Sequence, residues 1–185
     1  MVLWPDTARK DNIILHHTTD NYNSTTNHTA NDCTQTGVIG YDFQVNASGS
    51  IYVGGAYRQS HGCHAQGCNC NSTGIGLQGC FGDPGGSCNG ISPAYPSSEQ
   101  ECGVGYIWHN TGIAKNEGKL KPHNWCGSAQ PCGSGSLSVT ICCGSNLSNI
   151  SDTSNDHWTS YGLQMRHRIW QKANAQQQCS ACYCG

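Results

Sequence analysis

A chain of 185 residues is long enough for one domain with a real core and an appendage. Its 9 Lys+Arg against 11 Asp+Glu leave a formal net charge of -2, so there is no electrostatic reason to expect nucleic acid or an anionic membrane as a partner. The 14 cysteines point elsewhere, because such a density persists as disulfides only in an oxidising compartment; a secreted, extracellular protein is expected.

In chain order, MVLWPDTARK lacks the apolar stretch of a secretory signal, so a signal is expected to have been removed. Residues 12–16, NIILH, read as a short buried strand, and residues 20–37 as a polar loop. In IGYDFQVNASGSIYVGG, residues 39–55, Tyr41, Phe43 and Val45 alternate with polar neighbours before a glycine-containing turn and a second run from Ile51 to Val53. That pattern predicts a β-hairpin. A loop over 56–73 carries His61, His64 and three cysteines. GIGLQG, residues 74–79, is then an inner strand whose small residues permit close backbone approach.

Residues 80–96 read as an insertion rich in Gly, Pro, Cys and Ser. Ser97 and Gln100 stand three apart, as in a capping box, and Val104, Ile107 and Trp108 follow at helical spacing, with Gly103 and Gly105 weakening that helix. After a Cys/Gly/Ser-rich stretch over 123–150, Trp158, Tyr161, Met165 and Ile169 predict a second helix with Asp156 as a candidate cap. Strands and helices in mixed order predict a single α/β domain with a mixed central sheet flanked by helices. The domain proper spans 1–133. A disulfide-rich C-terminal extension with a helix, 134–185, packs on it. Cys179, Cys182 and Cys184 in the closing CSACYCG pair elsewhere or bind metal, and the compartment favours disulfides. No apolar run reaches the roughly 18 to 20 residues of a membrane span.

Six N-x-[ST] sequons, at Asn23, Asn27, Asn46, Asn71, Asn146 and Asn149, are candidate glycan acceptors in a eukaryotic host; chance in an Asn/Ser/Thr-rich chain is the alternative.

The stretch IILHHTTD ends a buried strand on imidazoles. It is either a core segment with polar ends or the floor of a metal site, since neutral imidazole is the commonest zinc ligand. Together with YDFQVNASGSIYVGG and SHGCHAQGCNCNSTGIGLQG it resembles the core of the zinc N-acetylmuramoyl-L-alanine amidases and peptidoglycan recognition proteins. That family opens with an apolar strand ending His-His-Thr, then reads Tyr-His-Phe, Asp-Gly-Thr-Ile-Tyr-Glu-Gly, Gly-Ala-His-Ala and Asn-Ser-x-Ser-Ile-Gly-Ile. The resemblance covers roughly residues 12–133.

The resemblance implies a zinc ion held by His16, by His123 and by Cys132, the latter two from KPHNWCGSAQPCG. The interval from His123 to Cys132 is nine residues where the family has eight, so an ungapped match puts Pro131 at the ligand position, and Cys126 is a rival ligand or a disulfide partner. Parity bears on this. All 14 cysteines could form seven internal disulfides, whereas Cys132 on zinc leaves 13, one of them free or bonded to another chain in a homo-oligomer or assembly.

By the same resemblance Tyr41 donates to the developing oxyanion, although a strand tyrosine is also an ordinary core residue. Gln130 takes the place of a polar helper, usually Lys or Thr, and can donate a hydrogen bond but cannot carry a proton. Asp42 stands where the family commonly has His. His64 and Asn69 match residues lining the substrate groove, and a glycan on Asn71 would obstruct that groove. His17 points to the other face from His16, as a polar strand end, a partner of the ligand shell or a substrate contact. His61, Cys63, His64, Cys68 and Cys70 could instead form a small metal knuckle, a weaker reading than disulfides.

Two functions follow. The first is a secreted zinc amidase that hydrolyses the bond between N-acetylmuramoyl and L-alanine in peptidoglycan or muramyl peptides. The second keeps the fold without turnover, as a peptidoglycan-binding or structural extracellular glycoprotein, including a filament or assembly subunit. A disulfide-rich lectin or adhesin of unrelated fold fits the composition alone and leaves the ordered run from 39 to 79 unexplained.

Overall fold

In a computed structural model, residues 10–18, 41–53, 71–82, 94–123, 125, 144–149, 154 and 156–175 are described. The run NIILHH forms strand β1, Asn12–His17, buried along its whole length. A strand covered on both faces reads as a continuous apolar run, and this one lies centrally between parallel neighbours. Strand β4, Ser72–Leu77, pairs with β1 on one side, and β5, Leu120–Pro122, on the other. Beyond β4 lies β2, Phe43–Val45, parallel to it, followed by β3, Ile51–Val53, antiparallel to β2. The five-stranded order is β3-β2-β4-β1-β5, a mixed sheet as expected.

The β2–β3 hairpin closes on one side chain. Asn46 Oδ1 accepts from Ser48 N at 3.1 Å, Ser48 Oγ at 2.8 Å and Ser50 N at 2.8 Å, beside the turn's own backbone bonds from Gly49 N to Asn46 O at 2.9 Å and from Asn46 N to Ser50 O at 3.1 Å.

One face of the sheet makes the core. Ile13, Leu15, Phe43, Val45, Ile75 and Leu77 pack against Val104, Ile107 and Trp108 of helix α1, Ser98–Asn110. The capping box that starts α1 is complete: Ser97 Oγ accepts from Gln100 N, and Gln100 Oε1 accepts from Ser97 N, each at 3.0 Å. The glycines that weaken α1 intrinsically earn their place by close approach. A Cβ on Gly103 would lie 2.7 Å from Val45 Cγ1, and one on Gly105 would lie 2.7 Å from Lys172 Cβ of helix α2, Ser160–Asn174.

Leu147, Trp158, Met165, Ile169 and Ala173 join the same core, so residues well beyond 133 help to build it. Glu101, buried on α1, accepts from Arg168 Nε at 2.9 Å and Nη2 at 2.6 Å and has Lys172 Nζ at 3.6 Å, which ties α2 to α1. None of the helices among the described residues is long and apolar enough to cross a membrane.

One expectation is corrected and one strand is added. The cap of α2 is Thr159, whose side chain accepts from Gly162 N; Asp156 lies upstream in the left-handed region at φ +53°, engaged by other partners. Its carboxylate receives Lys121 Nζ at 2.8 Å and Arg166 Nη1 at 3.4 Å. Strand β5 leaves no signature in the sequence, because three residues containing Lys and Pro carry no strand period. Pro122 is tolerated there since β5 is an edge strand, where a missing N–H is harmless. A 3₁₀ turn, Glu117–Lys119, leads into β5 and is pinned to α2 by His167 Nδ1 and Glu117 Oε1 at 2.6 Å. Lys121 also lies 4.9 Å from the centroid of the Trp125 ring.

Candidate active site

Strand register decides which side chains meet. His16 pairs with Gly76, and Gly76 with Gln44, so these three form a row across β1, β4 and β2 on the face opposite the helices. On the other side Leu15 pairs with Pro122, and the same register carried one residue further sets His123 opposite His16. The two imidazoles do meet, with ring centroids 4.4 Å apart and an interplanar angle of 46°. Tyr41, just before β2, joins them: its ring centroid lies 5.0 Å from that of His16. His16 is 1% exposed and Tyr41 9%, whereas His123 is half-buried.

Paired imidazoles, one deeply buried, fit a zinc ion by donor type. Among the described residues no third His, Cys, Asp or Glu completes a metal-holding group; Cys132 and Cys126, like Gln130, His64 and Asn69, lie outside them.

Residues 6–103 match the family model described as N-acetylmuramoyl-L-alanine amidase, more than half of the chain. The chain belongs to the N-acetylmuramoyl-L-alanine amidase family. Two solved structures from Clostridium intestinale URNW are similar to it, the N-acetylmuramoyl-L-alanine amidase LysC and the endolysine N-acetylmuramoyl-L-alanine amidase LysCS. Each superposes with a TM-score of 0.52 at 25% identity over 76% of this chain, covering 80% of LysC and 78% of LysCS. No curated protein matches the sequence.

Within this amidase fold the neighbours of the cluster have distinct tasks. His17 turns to the helix-packed face, where its Nδ1 accepts from Phe81 N at 3.1 Å and its ring stands 5.9 Å from that of Phe81. Alternation along β1 puts His17 on the far side of the sheet from His16, 5% exposed, holding the exit of β4. An N–H pointing at Nδ1 also fixes the tautomer, with the ring's own proton on Nε2.

Asp42, in the position where the family commonly has His, is 1% exposed. Its Oδ2 accepts from Gly74 N at 2.7 Å and faces Lys10 Nζ at 3.7 Å, while that ammonium donates to Ser72 O at 2.8 Å. A buried carboxylate so held anchors the backbone next to Tyr41. The charge on Lys10 and the carboxylate on Asp42 become intelligible only together, and nothing in the sequence joins them.

Of the sequons inside the described residues, Asn149 is exposed. Asn146 spends its Nδ2, the atom a glycan would occupy, on Ala94 O at 3.0 Å. Asn71 is half-buried, and Asn46 is 7% exposed inside the hairpin it closes. Asn23 and Asn27 lie outside the described residues. Both described cysteines, Cys80 and Cys102, are disulfide-bonded.

Proposed function

We propose that the protein is a secreted zinc amidase that cleaves the amide between the lactyl group of N-acetylmuramoyl and L-alanine in peptidoglycan. The observation that carries this reading is the meeting of His16, His123 and Tyr41 on one face of the sheet of a family member. His16 and His123, with Cys132, would hold the metal. When bound, zinc with three protein ligands supplies an open position that lowers the pKa of water toward about 7 and polarises a carbonyl.

The chain's own groups do the rest. Tyr41 donates its hydroxyl proton in a hydrogen bond to the oxygen on which negative charge develops, and its burial keeps that dipole fixed in a medium where it counts for more than in water. Burial of His16 holds its ring in one orientation. By resemblance to the family, Gln130 would serve as a second donor, and His64 and Asn69 would contact the muramyl peptide. The disulfides at Cys80 and Cys102 agree with secretion.

The non-catalytic glycoprotein reading draws on the sequons. It loses Asn46, whose side chain is sequestered in the hairpin, and keeps Asn149, which is exposed.

The deciding experiment has two arms: metal content per chain on protein purified without added zinc or chelator, and release of peptide from a muramoyl-peptide substrate. About one zinc per chain, lost in His16→Ala, together with turnover is the expected result. Metal-loaded protein that leaves the substrate intact over a long incubation would overturn it.

A further inference from the structure

Gly76 sits in the middle of the site row, between His16 and Gln44. Its φ lies outside the left-handed region, so the backbone conformation does not call for glycine. Glycine in a strand interior also weakens the strand, by about 0.5 to 1 kcal/mol relative to alanine, and its presence here needs another reason. That reason is the Tyr41 ring. A Cβ on Gly76 would fall 2.5 Å from Tyr41 Cδ2, 2.7 Å from Cε2 and 3.0 Å from Cγ, well inside the roughly 3.5 to 4.0 Å of ordinary carbon contacts. The ring lies directly on bare backbone.

Neither side of this contact can retreat. Strand β4 is hydrogen-bonded on both edges, to β1 and to β2. The Tyr41 backbone is tethered by the next residue, Asp42, which is bound to Gly74 N beside buried Lys10. An added methyl group could be relieved only by swinging the ring, and the ring stands 5.0 Å from His16.

We infer that Gly76 is a positioning residue for Tyr41: its missing side chain is the seat that sets the phenol ring beside His16. The inference rests on the reading of Tyr41 as the oxyanion donor, and its test therefore includes a signal independent of turnover.

In Gly76→Ala, kcat is expected to fall at least about tenfold with KM within about twofold and zinc content unchanged, because a misplacement of ~1 Å can cost up to about a hundredfold. In a Tyr41→Phe background the same change should cost less than about twofold, since the hydroxyl it would misplace is already gone. The ring carbon NMR signals of Tyr41 should shift in Gly76→Ala. A kcat within about twofold of wild type, or losses that multiply in the Tyr41→Phe background, would overturn the inference.

Should Gly76→Ala fail to fold, Gly76→Ala/Tyr41→Ala decides: recovery of a folded protein supports the seat, and continued unfolding sinks it. An inactive wild type would remove the functional reading alone, because the Tyr41 ring signals still move in Gly76→Ala if the seat exists and stay in place if it does not.

Discussion

The two faces of the sheet are made by the same strands and obey different rules. Toward the helices stand Ile13, Leu15, Phe43, Val45, Ile75 and Leu77, all at 0% exposure, in contact with other apolar side chains. On the opposite face stand Ile14, His16, Gln44, Gly74, Gly76 and Lys121, where burial is nearly as deep and the groups are imidazole, amide, ammonium and bare backbone. The first face is specified by volume. The second is specified by which group stands next to which, and a slip of one residue in register would exchange them.

The largest effect that should separate the faces comes from His16→Ala. Bound zinc and turnover are both expected to disappear, as they should on treating the wild type with a chelator. A metal content unchanged by the substitution would break the contrast. On the core face, Leu15→Ala should cost about 2 to 5 kcal/mol of stability by cavity formation, read as a lower denaturation midpoint with zinc content preserved in the folded fraction.

Tyr41→Phe should lower kcat by about a hundredfold, the scale of one lost donor to a developing oxyanion, and leave KM and stability nearly as they were. An equal loss of stability would make Tyr41 a core residue instead. The smallest effect is a gain. Gln44 is 1% exposed and its Oε1 has no hydrogen-bond partner among the described residues, so Gln44→Leu should stabilise the fold by about 1 kcal/mol in chemical denaturation. A destabilised Gln44→Leu would show that the amide is satisfied in solution.

How much of this was legible depended on how local the cause is. The hairpin and the start of α1 could be read because a two-residue period and a Ser97/Gln100 box act over a few residues. His16 was legible from its place at the end of an apolar run. Its companions required partners from far along the chain: His123 directly follows a strand of three residues that pairs with β1, and the partner of His17 is the Phe81 amide, 64 residues away. The small residues of GIGLQG announced a close approach without saying that Tyr41 makes it. Aspartate favours caps, yet the Asp156 carboxylate is engaged with Lys121 and Arg166 while Thr159 does the capping.

That carboxylate bears on how the molecule could be dissected. Asp156 holds Lys121, which stands two residues before His123 and beside Trp125, two residues after it. The family match ends at residue 103, and a chain shortened at 133 would still contain His16, Tyr41 and His123. It would have lost the acid that steadies the edge strand, along with Leu147, Trp158, Met165, Ile169 and Ala173 from the core. A shorter unit cut from this sequence, or a chimera that exchanges its C-terminal third, would thus carry His16, Tyr41 and His123 on a sheet whose outermost strand no longer has its brace.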